Sequence, residues 1–189
     1  MSVGGIFCWG MLKLGVFMMR SSGFRGEVGL VVDAQWPIAA SKSEEDEEAV
    51  KDYLASYDYA PGFHSLLLYL KDTYNNPIIV ITESGFPLSP AEDLGDEKKV
   101  DYMRNYLNAL LDARADGVNC IGYFFWSLMD SFEWASGYGY KFGLYQVDFE
   151  NPHRKATARK SALVYKEIIR TGMIDARYDP DPYCNTTVF

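Results

Sequence analysis

Short uninterrupted apolar runs alternate along this chain with stretches in which apolar residues recur every three or four positions. The runs are residues 29–32, 78–82 and 120–126, and each reads as a buried strand. Residues 41–53 read as an exposed helix. Ser41 and Glu44 have capping-box spacing there, and the acidic residues 44–48 suit the positive end of the helix dipole. Phe63, Leu66, Leu67, Leu70 and Tyr74 share one side of a second helix that stops at Asn75-Asn76-Pro77. The best-formed helix covers residues 96–115. Val100, Met103, Leu107, Leu110, Leu111 and the stem of Arg114 make its apolar stripe, and Gly117 follows as a C-terminal cap. Its polar face holds Lys98, Lys99, Asp101, Asn105, Asn108 and Asp112. A last helix, residues 157–171, turns Ala158, Ala162, Tyr165, Ile168 and Ile169 inward.

Strands separated by helices, each strand a continuous apolar run, imply a parallel α/β sheet covered on both faces. Three such strands neither close a barrel nor make a comfortable sheet. Residues 1–20 are apolar but interrupted by Lys13, have no basic segment ahead of the apolar part, and receive no element.

Composition narrows the class. The 189 residues suit one domain, and 48% hydrophobic with 23% charged is globular material. A net charge of −8 argues against nucleic acid or an anionic membrane as partner, and no apolar stretch is long enough for a spanning helix. Cys8, Cys120 and Cys184 lack metal or redox spacing, His64 and His153 are too far apart for a metal cluster, and no cofactor is predicted. Cys120 reads as a buried thiol. Aromatic residues reach 15%, which serves a core or an apolar ligand face equally well.

Candidate chemistry collects at strand ends. The run 78–82 ends in Glu83, followed by a Ser-Gly-Phe-Pro turn, and parallel α/β folds gather chemistry at such C-terminal ends. The bland alternative is that Glu83 marks the solvent edge of a core strand. Residues 126–134 (Trp-Ser-Leu-Met-Asp-Ser-Phe-Glu-Trp) then bring two tryptophans and two carboxylates beside the glycine turns of residues 137–143. Indole faces can cover the apolar side of a pyranose while carboxylates accept from its hydroxyls. Packing at the end of a sheet, with Asp130 and Glu133 merely solvated, would use the same residues.

Thr82-Glu83-Ser84-Gly85 resembles the Thr-Glu-Asn-Gly strand end of the family 1 glycoside hydrolases, the group of β-glucosidases, lactase-like enzymes and myrosinases. Residues 126–134 resemble that family's Trp-Ser-Leu-Leu-Asp-Asn-Phe-Glu-Trp segment. Tyr138, residues 141–144 and Val147-Asp148-Phe149 are similar to the family's next segment. Residues 61–74 resemble the helix before the nucleophile strand, and residues 26–36 the fifth strand and its loop. The resemblance implies a partial (β/α)₈ TIM barrel over residues 24–174, with parallel strands five, seven and eight and no sixth. An unassigned segment 1–23 precedes it and a polar tail 175–189 comes after it. Part of a barrel leaves two sheet edges and its core open.

By that resemblance the chain is a glycosidase acting with retention on β-glucosides or related small glycosides. Glu83 would be the nucleophile, Trp126 the platform under the sugar, and Glu133 an acceptor from distal hydroxyls. Trp134 would donate its indole N–H, Phe142 would line the pocket, and Asp130 would be structural. A retaining mechanism needs a second carboxyl group about 5 Å from the first. The family carries it on Asn-Glu-Pro, which does not occur in these residues. The chain alone is therefore expected to be an incomplete, inactive piece of a hydrolase. Alternatives are a non-catalytic sugar- or protein-binding fragment, a truncated gene product, or a thioglucosidase. Asn185-Thr186-Thr187 is an N-glycosylation acceptor that tilts localisation towards a secreted or lysosomal route over the cytoplasm. The oligomeric state stays open.

Overall fold

A computed structural model describes residues 60–88 and 93–184 of the chain. The strand proposed at 29–32, the acidic helix at 41–53 and Asn185 lie outside these residues. Four elements carry the site: helix α1 (Ala60–Thr73), strand β1 (Ile79–Ile81), helix α2 (Glu97–Ala115) and strand β2 (Cys120–Tyr123). A short hairpin, β3 (Tyr145–Val147) with β4 (Ala156–Ala158), and helix α3 (Lys160–Thr171) follow.

β1 and β2 pair in parallel, with α2 as the crossover that such a pair needs. Ile79 faces Cys120 and Val80 faces Gly122, which leaves Ile121 as an extra residue in the second strand. The strands start from a common brace. Asn75 and Asn76, both at positive φ, turn the chain out of α1. The Asn76 side chain then donates to Gly117 O at 2.9 Å and accepts from Asn119 N–H at 3.1 Å. Gly117, at φ +92°, follows α2 as expected of a residue that ends a helix.

One core cluster lies under the helix side of the strands, where Leu67, Leu110, Ala113, Val118 and Cys120 pack with Ile79 and Ile81. The Cys120 thiol is buried, as expected. A second cluster is mainly aromatic. Tyr102 stacks on Tyr106 at 4.0 Å and meets Phe86 at 5.6 Å and Phe125 at 6.5 Å, with Leu88, Val100, Met103 and Leu144 around them. Much of the aromatic excess is core.

Four expectations need correction. The strand runs are not covered on both faces: Ile78 is 68% exposed, Ile121 69% and Phe124 60%. Ile79 and Ile81 meet the helices while Ile78 and Val80 point the other way, the open inner side expected of part of a barrel. In α2, Lys99 is wholly buried and Leu111 exposed, because the inward stripe runs through Tyr102, Tyr106, Ala109 and Ala113. The last helix begins at Lys160 rather than 157, since residues 156–158 pair with β3 and Arg159 N–H bonds Leu144 O at 2.9 Å. Within it Val164, not Ile169, is buried. No closed barrel forms among the described residues.

Exposed apolar side chains on one sheet face favour association. The double variant Ile78→Thr, Ile121→Thr should elute with less self-association than the wild type in chromatography with light scattering, at unchanged far-UV circular dichroism. Equal association in both proteins would mean that the open face is not what drives it.

Candidate functional site

The strand end at Glu83 is clamped on both sides to the segment that leaves β2. Phe124 N–H donates to Ile81 O and Trp126 N–H to Ser84 O, each at 2.8 Å. Glu83 lies between these two bonds with its side chain exposed, and among the described residues nothing hydrogen-bonds to its carboxylate. Ser84 turns the other way, its hydroxyl 3.2 Å from the Tyr102 phenol in the aromatic core. The Ser84 side chain thus packs the strand end against the core.

Gly85 makes the close approach possible. A Cβ there would lie 2.0 Å from Trp126 O and 3.4 Å from the edge of the Phe142 ring. Only a residue without a side chain fits. Trp126, 40% exposed, and the half-buried Phe142 therefore flank the strand end that carries Glu83. The Trp126–Ser127 peptide is cis.

Residues 127–144 return to the same place through backbone bonds. Ser127 N–H donates to Phe142 O (3.2 Å), Leu144 N–H to Ser127 O (2.8 Å), and Leu88 exchanges two 3.0 Å bonds with Lys141. Glu133 and Trp134 sit on the turn between. Glu133 O is bonded by Ser136 N–H, its carboxylate accepts from Ser131 Oγ at 2.9 Å, and Trp134 is 88% exposed at φ +44°. Among the described residues no hydrogen bond joins Glu133 or Trp134 to Glu83, Trp126 or Phe142. Contacts of the strand end thus join three of the five candidates, while half-buried Glu133 and exposed Trp134 lie on the turn between.

What holds the return segment is a buried ionic cluster. Asp130 accepts two bonds from the Arg159 guanidinium at 3.0 and 2.9 Å, and others from Gly143 N–H at 3.0 Å and Val147 N–H at 3.2 Å. This supports the structural role implied for Asp130. Arg159 also donates to Gly143 O at 2.7 Å. Asp96, at the start of α2, accepts from Ser161 N–H at 2.9 Å and from its hydroxyl at 2.5 Å. It thereby supplies from another helix the N-terminal cap that α3 lacks locally. Lys99 Nζ lies 3.7 Å from the Asp96 carboxylate.

Sequence reasoning missed Lys99, Arg159 and Asp96. A signal existed for the first: positions 99, 102, 106, 109 and 113 follow the helical 3–4 period, so a stripe read through the tyrosines begins at Lys99. Arg159 and Asp96 left no such trace, because their partners are distant in sequence.

Burial pushes the Asp96 carboxyl up to about 6, against the pull of Lys99, the Ser161 hydrogen bonds and Arg159. Burial, followed by the nearby Arg159 charge, pushes Lys99 down to about 8, with Asp96 and Asp130 opposing. Among the described residues no group of His, Cys, Asp and Glu could hold a metal ion, and no helix is long and apolar enough to cross a membrane.

The sequence profile of glycosyl hydrolase family 1 matches residues 37–173. The chain is 40% identical over 153 residues to the human cytosolic beta-glucosidase, covering 80% of this chain and 31% of that protein. With Myrosinase 1 of Brevicoryne brassicae it shares 45% over 112 residues, 59% of this chain and 24% of that protein. Among solved structures, an aphid myrosinase superposes with a TM-score of 0.58 at 44% identity, covering 60% of this chain and 24% of its own. A family 1 β-glucosidase from the fungus Humicola insolens, in complex with glucose, gives 0.57 at 40%, covering 60% and 25%. The chain spans less than a third of the length of each of these relatives.

Two measurements test the geometry. Gly85→Ala should lose about 1–3 kcal/mol of stability in urea unfolding, since the Trp126 carbonyl must move; a neutral outcome would contradict the close approach. For Asp96 the folded carboxyl binds its proton more tightly than the unfolded one. Its contribution to stability is therefore full below about pH 4 and falls as pH rises through about 6. Asp96→Asn should remove that fall, seen as a wild-type-minus-variant difference in urea midpoint that declines between those values. A constant difference would show that the carboxyl is unperturbed.

Proposed function

The chain belongs to glycosyl hydrolase family 1, and on that premise we propose that Glu83 is the nucleophile of a retaining, β-glucosidase-type hydrolase of O-glycosyl bonds. The observation that carries this is the position of Glu83. It is an exposed carboxylate at the C-terminal end of a parallel strand, between two backbone bonds that bring Trp126 beside it. In this reading β1 and β2 are the seventh and eighth strands of the barrel. The Glu83 carboxylate attacks the anomeric carbon of a small glycoside and forms a glycosyl ester, which water then hydrolyses. Trp126 offers its face to the sugar ring, and Phe142 closes the wall next to it. Glu133 and Trp134, on their exposed turn, would reach the far hydroxyls of a bound sugar.

Protonation of the leaving oxygen and activation of water need a second carboxyl group, and such help is worth typically about 10²–10⁴-fold. Within these 189 residues the Asn-Glu-Pro that would supply it does not occur. Asp130 is no substitute, because its two oxygens are engaged by Arg159, Gly143 and Val147. The 189 residues by themselves are thus proposed to hold half of a catalytic pair. The similarity to myrosinases keeps thioglucosides within the substrate class, because the choice between the two lies with that second group.

The purified 189-residue chain should show no turnover of a chromogenic aryl β-glucoside. A chimera in which residues 60–173 replace the matching segment of the human cytosolic beta-glucosidase should turn it over, and Glu83→Gln in that chimera should abolish the activity. Activity of the isolated chain, or a chimera indifferent to Glu83→Gln, would overturn the assignment.

A further inference from the structure

Lys99 is a lysine with no exposed surface, in a helix whose neighbouring Lys98 and Asp101 lie in water. Lysine is almost never fully buried unless paired. Here the ammonium directs its donors to one short segment: Gly143 O at 2.7 Å, Phe142 O at 3.2 Å and Lys141 O at 3.5 Å. Each of those carbonyls has a second task. Lys141 O accepts from Leu88 N–H in the loop after β1, Phe142 O from Ser127 N–H next to Trp126, and Gly143 O from the Arg159 guanidinium. The Phe142 ring lies against Gly85, two residues beyond Glu83. Asp130 N–H and Tyr145 O crowd Gly143 so closely that a Cβ there would come within 2.2 and 2.5 Å of them. The segment has little freedom of its own, and its position is set by where the two buried cations hold its carbonyls.

We propose that Lys99 is a positioning residue that sets the Phe142 and Trp126 wall against the Glu83 strand end; its role in sugar recognition rests on the assignment of Glu83 as nucleophile. Lys99 reaches no substrate. It acts through the carbonyls of residues 141–143, from which the Ser127 N–H bond passes the constraint to Trp126. Loss of the ammonium releases three carbonyls in a buried place and lets the wall swing, while the helix stripe of Tyr102, Tyr106, Ala109 and Ala113 stays packed.

The test uses the full chain labelled with ¹⁵N and follows the tryptophan indole N–H resonances, those of Trp126 and Trp134 being assigned by Trp126→Phe and Trp134→Phe. Lys99→Met should move the Trp126 resonance and leave that of Trp134 in place, and Lys99→Arg, which keeps several donors, should return it towards the wild-type position. Leu67→Ala, a core change in the other cluster, should leave Trp126 unmoved at comparable loss of stability. An unchanged Trp126 in Lys99→Met, or an equal shift in Leu67→Ala, would overturn the proposal. Should Lys99→Met lose its cooperative unfolding, Lys99→Gln, uncharged but still a donor, decides by the same criteria. A glucose titration separates the positioning role from the sugar site. Binding to the wild type should weaken about tenfold or more in Lys99→Met, the scale of one hydrogen bond to a charged group. If the wild type shows no glucose-dependent shift, the sugar site fails while the indole resonances still decide the positioning role.

Discussion

Asp130 and Arg159 meet where neither side chain keeps more than a trace of contact with water. Their paired bonds fasten the segment after β2 to the residue that opens α3, 29 positions along the chain. A buried ion pair is weak evidence for stability as such, because desolvating two charges costs about as much as their attraction returns. Breaking it is another matter: a lone buried charge costs about 3–5 kcal/mol. The pair therefore acts as a constraint. With Gly143 N–H, Val147 N–H and Gly143 O drawn into the same cluster, the segment between Trp126 and β3 is held at several points by one set of buried charges. Asp96 and Lys99 extend the cluster to α2, so that three parts of the chain share one enclosed set of charges.

The constraint works because the aromatic cluster gives it a firm floor. Tyr102 lies against Phe86 from the loop after β1, Phe125 from the end of β2 and Tyr106 from its own helix. Its hydroxyl reaches Ser84, next to the candidate nucleophile. The end of β1 is thus supported from below by rings and from the side by backbone bonds to Phe124 and Trp126. Glu83 stays exposed while its neighbours do the holding. The opposite face of the two strands has no such support among the described residues, and Ile78, Ile121 and Phe124 lie open there.

Much of this was legible from residue types. Helices α1 and α2, the end of α2 at Gly117, the burial of Cys120 and the parallel relation of β1 and β2 all follow from apolar spacing and turn residues close together in sequence. The β3–β4 hairpin was not legible. Residues 145–147 and 156–158 are three-residue strands with no alternation to detect, and Ala156-Thr157-Ala158 fits a helix start equally well. Pairing with β3 decided between the two. Lys99 misled for a related reason: a charged residue beside Lys98 reads as solvent-facing until the carbonyls that receive it are in place.

The sequence by itself determined which residue types the candidate site offers. A carboxylate ending a β-branched run, followed by a tryptophan-bracketed acidic segment, is a local pattern, and local patterns survive in a linear string. Which of those side chains stand together was a matter for tertiary structure alone. Glu83, Trp126 and Phe142 meet because Gly85 admits the Trp126 carbonyl and because buried cations pull residues 141–143 inward. Glu133 and Trp134 sit on a turn closed by Glu133 N–H on Gly137 O, and among the described residues no hydrogen bond ties them to the other three. The physical reason is one of range. Helix formation depends on neighbours a few residues away, whereas strand pairing and the placement of a buried charge depend on partners further along the chain, and those are in place only once it has folded.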